Sequence, residues 1–566
     1  MRLSLPLLFL SFFLIRQTSA QDFKYLVHLK DKNNTGFDIS NPSGFLTEKS
    51  IQRRQKQHIE IDSADLPVST MYTDSISAIA GLRILNKSRW FNLLLISITD
   101  TALLQQVQAF SFVLSSEPVN NQRLKKIKEK ISVNNRKINS IDAETKIADG
   151  PTGIHSQYDY GGSFSQIHIH NGEFLHDKGF RGEMMTIAIL DNGFNSYLTN
   201  PAFDSARSEN RILGTYDFVN QKSSVNEEEL HGAFCFSILA SNIPGTMIGS
   251  APAARYWLFK TEDDFSETPV EEQNWVAAAE FADSVGADLI STSLGYAYFD
   301  DSVYNLDYPE RDGHTALVSR AANMAMAKGM IVSASAGNSG TDPSEKKYIS
   351  CPADGDSVYA VGSVDINGQI GAFSSWGPNA SGQVKPDGVS LGVGTNLIAN
   401  DGVLHSGNGT SFANPNLAGL ITCLWQAFPE FNAHDILQAV RQSSDHYSNP
   451  DNRYGYGIPD FEKAYNNLLS RKLAASKPLT EEDWIRVFPV PFDKNIQILV
   501  RPGATGTAGI RLFDLSGKLI GKESIPVSEN QVQLIEFKIR QHLARGTYFV
   551  RYEDPKKTKT MKVLKN

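Results

Sequence analysis

Cysteine is scarce: three residues, Cys235, Cys351 and Cys423, in a chain of 566. They lie far apart, with no Cys-Xaa-Xaa-Cys pair and no Cys/His cluster, which excludes both a disulfide framework and a zinc site. One bridge with one thiol left over is the most they allow, and three ordinary buried thiols are expected. An excess of positive charge is also missing. Lys and Arg number 54 against 62 Asp and Glu, for a net charge of −8, which argues against non-specific nucleic-acid binding. There is no long internal repeat and no low-complexity tract. Long apolar runs are absent except at the start, where Leu3 to Ile15 follows Arg2 and closes on Thr18-Ser19-Ala20. That run is short for a membrane span. It has the charge, apolar stretch and small residues of a secretory signal peptide, residues 1–20, so the exported chain is expected to begin at Gln21.

What remains is ordinary globular composition, 41% hydrophobic and 20% charged, at a length that suggests about three or four domains. Residues 21–117 form a first unit. Lys24–Leu29, Met71-Tyr72, Leu82–Leu85, Phe91–Ile98 and Phe110–Val113 read as strands, and Leu46–His58 and Asp100–Gln108 as helices. This mixture predicts a small α+β sandwich. Residues 118–150 are polar, with the basic run Lys125–Lys130, and read as a linker open to proteolysis.

Residues 151–470 alternate strand and helix. Met185–Leu190 is an unbroken apolar run, as expected of a parallel strand covered on both faces. Tyr256–Phe259, Leu289–Ser293, Met330–Ser335 and Val358–Gly362 repeat the pattern. Helices are predicted at Ala233–Ala240, Trp275–Val285 and Leu317–Lys328. The fold class is α/β, a doubly wound parallel sheet, with its chemistry expected at the carboxyl ends of the strands. Asp191 and Ser293 fall at such ends, and Asn338 follows another by three residues. Residues 471–566 hold short alternating segments, Val487–Phe492, Ile496–Val500, Gly509–Asp514, Gln533–Phe537 and Thr547–Tyr552, separated by turn signals such as Leu515-Ser516-Gly517-Lys518. They predict a C-terminal β-sandwich.

Asn408-Gly409-Thr410-Ser411-Phe412-Ala413-Asn414-Pro415 stands between an extended glycine-rich stretch and an apolar helix, Asn416–Phe428. A serine there has a rigid mount and lies near helix-N-terminal N–H groups, which suits a nucleophile facing an oxyanion. Gly409 to Pro415 resembles the Gly-Thr-Ser-Xaa-Ala-Xaa-Pro nucleophile motif of the subtilisin-like serine proteases. Ile189–Gly193 resembles that family's aspartate motif, His231-Gly232 its histidine motif and Ser293-Leu294-Gly295 its substrate-backbone segment. Ser335-Ala336-Gly337-Asn338 resembles its oxyanion segment. Phe373–Pro378 and Lys385-Pro386-Asp387 also recur in the family, and the order Asp, His, Ser is the subtilisin order.

The resemblance implies a serine endopeptidase acting on polypeptides. Ser411 is the nucleophile, His231 the general base and then acid, and Asp191 the group that fixes the imidazole. Asn338 is an oxyanion donor, and Ser293, Leu294 and Gly295 pair with an extended substrate. The first unit resembles in position and α/β character the family's inhibitory prodomain, a partner in cis that is cut away between about 118 and 160. The last unit resembles the carboxyl-terminal sorting domain of proteins exported by the type IX system. Pro489-Val490-Pro491-Phe492, Leu512–Lys518, Gly546–Phe549 and the basic Lys562–Lys565 carry that resemblance. A secreted or cell-surface protein, monomeric and engaged by secretion machinery, is the corresponding expectation.

Two positions depart from the family. Asn192 stands where Ser or Thr follows the aspartate, and Ala233 where Thr follows His-Gly. Both lack hydroxyls that support the reacting groups, and so bear on rate. Glu227-Glu228-Glu229 reads as a solvated run. No cofactor is expected and no metal ligand set emerges from spacing, although calcium often stabilises the family. A catalytically silent peptide-binding surface protein is the alternative reading. An esterase on an α/β-hydrolase fold fits worst, because Ser411 lacks a Gly-Xaa-Ser-Xaa-Gly elbow.

Overall fold

Every residue of Thr186–Asp191 is buried, and this strand is the axis of the central unit. The computed structural model describes residues 23–119, 139–142, 156–226, 229–476, 479–488, 490–492, 495–539 and 543–565. The expected signal peptide and Lys125–Lys130 lie outside the described residues. In the central unit, seven strands, numbered here in chain order, are β1 (Thr186–Asp191), β2 (Ile212–Asp217), β3 (Arg255–Lys260), β4 (Leu289–Thr292), β5 (Ile331–Ser335), β6 (Tyr359–Val364) and β7 (Gly388–Leu391). They form one sheet in the order β7-β6-β5-β4-β1-β3-β2, parallel at every pairing. Apolar cores lie on both faces. On one side the helices His231–Ala240 and Thr410–Ala427 pack with Ile187, Ile189 and Leu258. On the other, Val270–Ser284 and Leu317–Ala327 pack with Ala188, Leu190 and Ile290. Strand order reverses direction around β1, the kind of switch point where such sheets place ligands.

The first unit is a four-stranded antiparallel sheet with the strands Leu82–Ser88, Leu93–Ile98, Phe23–Leu29 and Val113–Pro118 in that order. Helices Glu48–Gln57, Thr70–Ser77 and Leu103–Gln108 accompany it. The strand expected at Met71-Tyr72 is instead part of a helix. Tyr72, Thr73 and Ile76 are its buried residues, at the spacing that puts side chains on one helical face. The strand expected at Phe110–Val113 begins only at Val113; Phe110 and Phe112 instead stack on each other. The helix expected from Trp275 starts five positions earlier, with Glu271 and Glu272 in its first turn, where the helix dipole favours acidic groups.

The boundary expected at 470 falls inside the helix Phe461–Ser476. Beyond it, a three-stranded and a four-stranded antiparallel sheet enclose one core built from Ile496, Ile498, Ile510, Leu512, Val550 and Val563. Two strands of this sandwich, Leu519–Val527 and Thr558–Lys565, were not anticipated. The basic tail is the second of them.

The first unit docks on the central one through buried charge. Asp283, at the end of the helix Val270–Ser284, is fully buried and pairs with Arg53, Arg54 and Arg89 of the first unit. Arg54 also pairs with Asp65 at 2.7 Å. One helical turn back, Glu280 accepts from the backbone N–H groups of Arg89, at 2.7 Å, and Trp90, at 3.1 Å.

Candidate active site

Asp191 is the last residue of β1, and His231 opens the helix His231–Ala240. The two elements approach closely because Gly232 has no side chain. A Cβ there would lie 2.4 Å from the Gly193 carbonyl oxygen and 2.9 Å from the Asp191 Cβ. Across this gap the His231 Nδ1–H donates to Asp191 Oδ1 at 2.7 Å, which leaves Nε2 with its lone pair. Asp191 is fully buried and His231 is 5% exposed. Burial opposes charge on the imidazole, but the Asp191 carboxylate outweighs it and holds the His231 pKa well above the ordinary value. Cys235, one turn further along the helix, is itself pushed upward by burial and stays a thiol; its Sγ donates to the Ser411 carbonyl at 3.4 Å.

Ser411 lies in the first turn of Thr410–Ala427, a helix longer at its start than the sequence pattern suggested. Its N–H belongs to the first turn, where backbone donors have no intrahelical acceptor. Its hydroxyl donates to the Ser293 carbonyl at a long 3.4 Å, and the Ser293 hydroxyl donates back to the Ser411 carbonyl at 2.8 Å. Among the described residues no hydrogen bond joins Ser411 to His231; such bonds are commonly long without substrate. Asn414 bolts the helix to the sheet. Its amide donates to the Thr292 carbonyl at 3.1 Å and its oxygen accepts from the Ser333 hydroxyl at 2.6 Å.

Asn338 follows β5. Its side-chain oxygen accepts from both the N–H and the hydroxyl of Thr410, at 2.9 and 3.0 Å. That fixes the amide so that its NH₂ is the group left for a ligand. The loop is braced by the Phe373–Pro378 motif: Ser375 donates its N–H to the Gly337 carbonyl at 2.9 Å and accepts from Ser339 N–H at 3.1 Å. Between the Ser293–Gly295 and Ser335–Asn338 segments stands the Ser350 hydroxyl. A Cβ on Gly295 would lie 2.2 Å from it and one on Gly337 3.3 Å. Leu294 is buried and Gly295 exposed. The structure thus brings Asp191, His231, Ser411, Asn338 and Ser293 to one end of the sheet.

Residues 182–457 match the model of the Subtilase family. Residues 182–457 are a subtilase domain. Residues 24–137 match the peptidase S8 propeptide domain of Bacteroidota, and residues 486–566 a secretion system C-terminal sorting domain. Among similar proteins, serine protease AprX of Bacillus subtilis (strain 168) is 27% identical over 332 residues, 52% of this chain and 68% of that protein. Subtilisin DY of Bacillus licheniformis is 28% identical over 289 residues, 51% of this chain and 93% of that protein. Subtilisin E of Bacillus subtilis (strain 168) is 26% identical over 293 residues, covering 51% and 68%. The chain is a serine-type peptidase with a propeptide domain and a sorting domain that marks it for export, to the outside or to the cell surface.

At the two departures, the subtilase domain has found other partners. The Asn192 oxygen accepts from the Gly232 N–H at 3.3 Å, and its amide donates to both oxygens of Asp264 at 3.1 and 3.2 Å. It therefore ties the aspartate strand to the start of the histidine helix. Among the described residues Asp191 Oδ2 has no hydrogen-bond donor, consistent with the missing hydroxyl at 192. Ala233 is buried and apolar. Glu229, expected to be solvated, pairs with the buried Lys260 at 2.7 Å. Lys260 belongs to β3, and burial would have left its ammonium costly without that carboxylate. Glu227 and Glu228 lie outside the described residues. All three cysteines are buried and free, as expected.

Sequence reasoning assigned no role to Thr410, Ser375, Asp264 or Ser350. Thr410 and Ser375 sat inside quoted motifs, and that was the available signal. Asp264 and Ser350 reach the site only through loops whose course the local sequence does not set. Lys385-Pro386-Asp387, also quoted, is structural: the Lys385 ammonium bonds Asp387 at 2.9 Å, and Asp387 pairs with Arg441 at 2.7 Å.

Proposed function

We propose that the chain is made as a pre-pro-enzyme, exported by an N-terminal signal peptide. Released from its prodomain by a cut between about 118 and 160, it acts as a monomeric endopeptidase through an acyl-enzyme on Ser411. An extended polypeptide adds as a strand along Ser293–Gly295, where Gly295 leaves the backbone accessible. Ser411 Oγ attacks the scissile carbonyl while His231 Nε2 takes its proton. Asp191 holds the Nδ1 proton and stabilises the imidazolium, and His231 then protonates the leaving amine. The oxyanion is received by the Asn338 amide and the Ser411 N–H. Water repeats the sequence on the acyl-enzyme. No cofactor takes part in this scheme.

The observation that carries the reading is the 2.7 Å His231–Asp191 pair facing the same strand ends as Ser411 and an Asn338 whose amide is locked in orientation. The test is intact mass spectrometry of the exported protein before and after a fluorophosphonate probe. One adduct is expected, on a chain lacking its first ~120–160 residues, and none on Ser411→Ala; serine acylation through an activated nucleophile is what the probe reports. A folded, processed chain that takes no adduct, or a Ser411→Ala protein that hydrolyses peptides at the parent rate, would overturn it in favour of a silent peptide binder.

A further inference from the structure

Two glycines leave a slot beside the nucleophile, and serine side chains fill its inner end. Gly295 closes the Ser293–Gly295 segment, and Gly337 comes one residue before Asn338. A Cβ on Gly295 would lie 2.2 Å from the Ser350 Oγ and 3.0 Å from the Ser350 Cβ. One on Gly337 would lie 2.8 Å from the Ser375 Oγ and 3.3 Å from the Ser350 Oγ. Non-bonded heavy atoms pack at about 3.5–4.0 Å, so the room that both glycines give up is already taken. The Ser350 hydroxyl stands against both walls at once.

Ser350 is pinned from both sides. Its N–H donates to the Ala336 carbonyl at 3.3 Å, next to Gly337. Cys351, the following residue, exchanges both backbone hydrogen bonds with Tyr296 at 2.8 and 3.0 Å, next to Gly295. Ile349, the preceding one, donates its N–H to the Trp376 carbonyl at 2.9 Å. A second observation points to a ligand. The Ser350 hydroxyl oxygen is buried and, among the described residues, has no hydrogen-bond partner. A buried polar group in that state is costly until a ligand or a water supplies the bond. The Ser375 hydroxyl beside it accepts from the Ser339 N–H at 3.1 Å. The end of the slot is therefore shallow and polar.

We propose that Ser350 is a specificity-determining residue: it shortens the slot that receives the substrate side chain on the acyl side of the cut bond, and restricts that residue to serine or alanine. This rests on the peptidase reading above, with Ser411 as nucleophile and the substrate laid along Ser293–Gly295. A ring or a branched chain pushed into the slot would meet the pinned hydroxyl, and such overpacking is unfavourable. It would also cover that hydroxyl with carbon and leave it without a partner. An alanine methyl stops short of it. A serine side chain brings a hydroxyl within its reach, which meets the unfilled hydrogen bond. Large side chains are thus rejected by an obstacle rather than by a lack of attraction, and trimming the obstacle should readmit them.

The experiment uses the processed, exported enzyme and peptide p-nitroanilides that differ only in the residue before the cut bond: serine, alanine, leucine or phenylalanine. In the parent, kcat/KM for serine and for alanine is expected to exceed that for phenylalanine by roughly tenfold or more. Ser350→Gly is expected to raise kcat/KM for phenylalanine by roughly tenfold or more, a gain that a damaged fold does not produce. Ser350→Ala, which keeps the Cβ, is the second variant in case glycine unsettles the loop. Losing only the oxygen, it is expected to lower the preference for serine over alanine and to raise the rate on leucine. Fluorophosphonate labelling counts the competent enzyme in each sample. A parent that cleaves after phenylalanine as fast as after alanine, or labelled variants that both keep the parent's ratios, would overturn the proposal and leave the peptidase reading standing. A folded, processed parent that neither takes the label nor cleaves any of the four would overturn that reading, and the proposal with it.

Discussion

Replacing Asp283 by alanine tests what holds the prodomain on the catalytic unit. Its carboxylate is fully buried, and its three cationic partners, Arg53, Arg54 and Arg89, all belong to the prodomain. Removing one partner of a buried ion pair typically costs about 3–5 kcal/mol, because the other charge stays desolvated. Here the guanidiniums keep some acceptors. Arg54 retains Asp65, and Arg53 retains the Lys328 carbonyl at 3.2 Å. The lower end of the range is therefore expected, about 3 kcal/mol, which is roughly a 10²-fold loss of prodomain affinity at 1.36 kcal/mol per decade. Once the prodomain has left, Asp283 faces water, and alanine there is close to neutral, within about 0.5 kcal/mol. The assay follows the self-cleaved complex after dilution into a fluorogenic peptide, where the lag before full activity reports prodomain release. Asp283→Ala is expected to shorten the lag about 10²-fold and to leave the final rate unchanged. A lag within about threefold of the parent would refute the reasoning, as the buried pairs would then carry little of the affinity.

Two further outcomes concern the chemistry. Asn338→Ala is expected to lower kcat by about 10²–10³-fold with little change in KM, since the amide is engaged only as the oxyanion forms; a change confined to KM would assign Asn338 to ground-state binding. The base must be neutral to accept a proton, so raising its pKa extends the inactive form to higher pH. The acid limb of kcat/KM is therefore expected above the ordinary histidine value of about 6.5, with activity lost as pH falls through it; a limb at or below that value would show that Asp191 does not hold the imidazolium as the geometry implies.

Much of the central unit was legible because its constraints are local. Ile187–Leu190 must be apolar on both sides of a parallel strand, and the residues around Ser411 must combine a turn, a hydroxyl and a helix start. Other features answer to distant partners. Arg53 and Arg54 read as one face of a charged helix, yet both are buried, because the carboxylate they share, Asp283, lies more than two hundred positions away. Glu229 looked solvated next to two other glutamates, and it is Lys260 that draws it in. Gly388–Leu391 is short and opens with glycine, too weak a strand signal to stand out before its neighbour in the sheet is known. Thr558–Lys565 carries lysine at every third position and buries only Val563, the composition of a sheet edge kept from pairing further, and it resembles a basic tail until its partner Gly546–Glu553 is placed.

The hydrogen bonds from Thr410 to Asn338 couple two parts that the chain keeps far apart. Thr410 is covalently next to the nucleophile, and it also aims the amide that waits for the oxyanion. The attacking atom and the receptor of the charge it creates therefore share one mounting. A displacement of the helix start carries both off their marks together, so damage to this corner should appear as loss of competent molecules from the population, with those that remain turning over at the full rate.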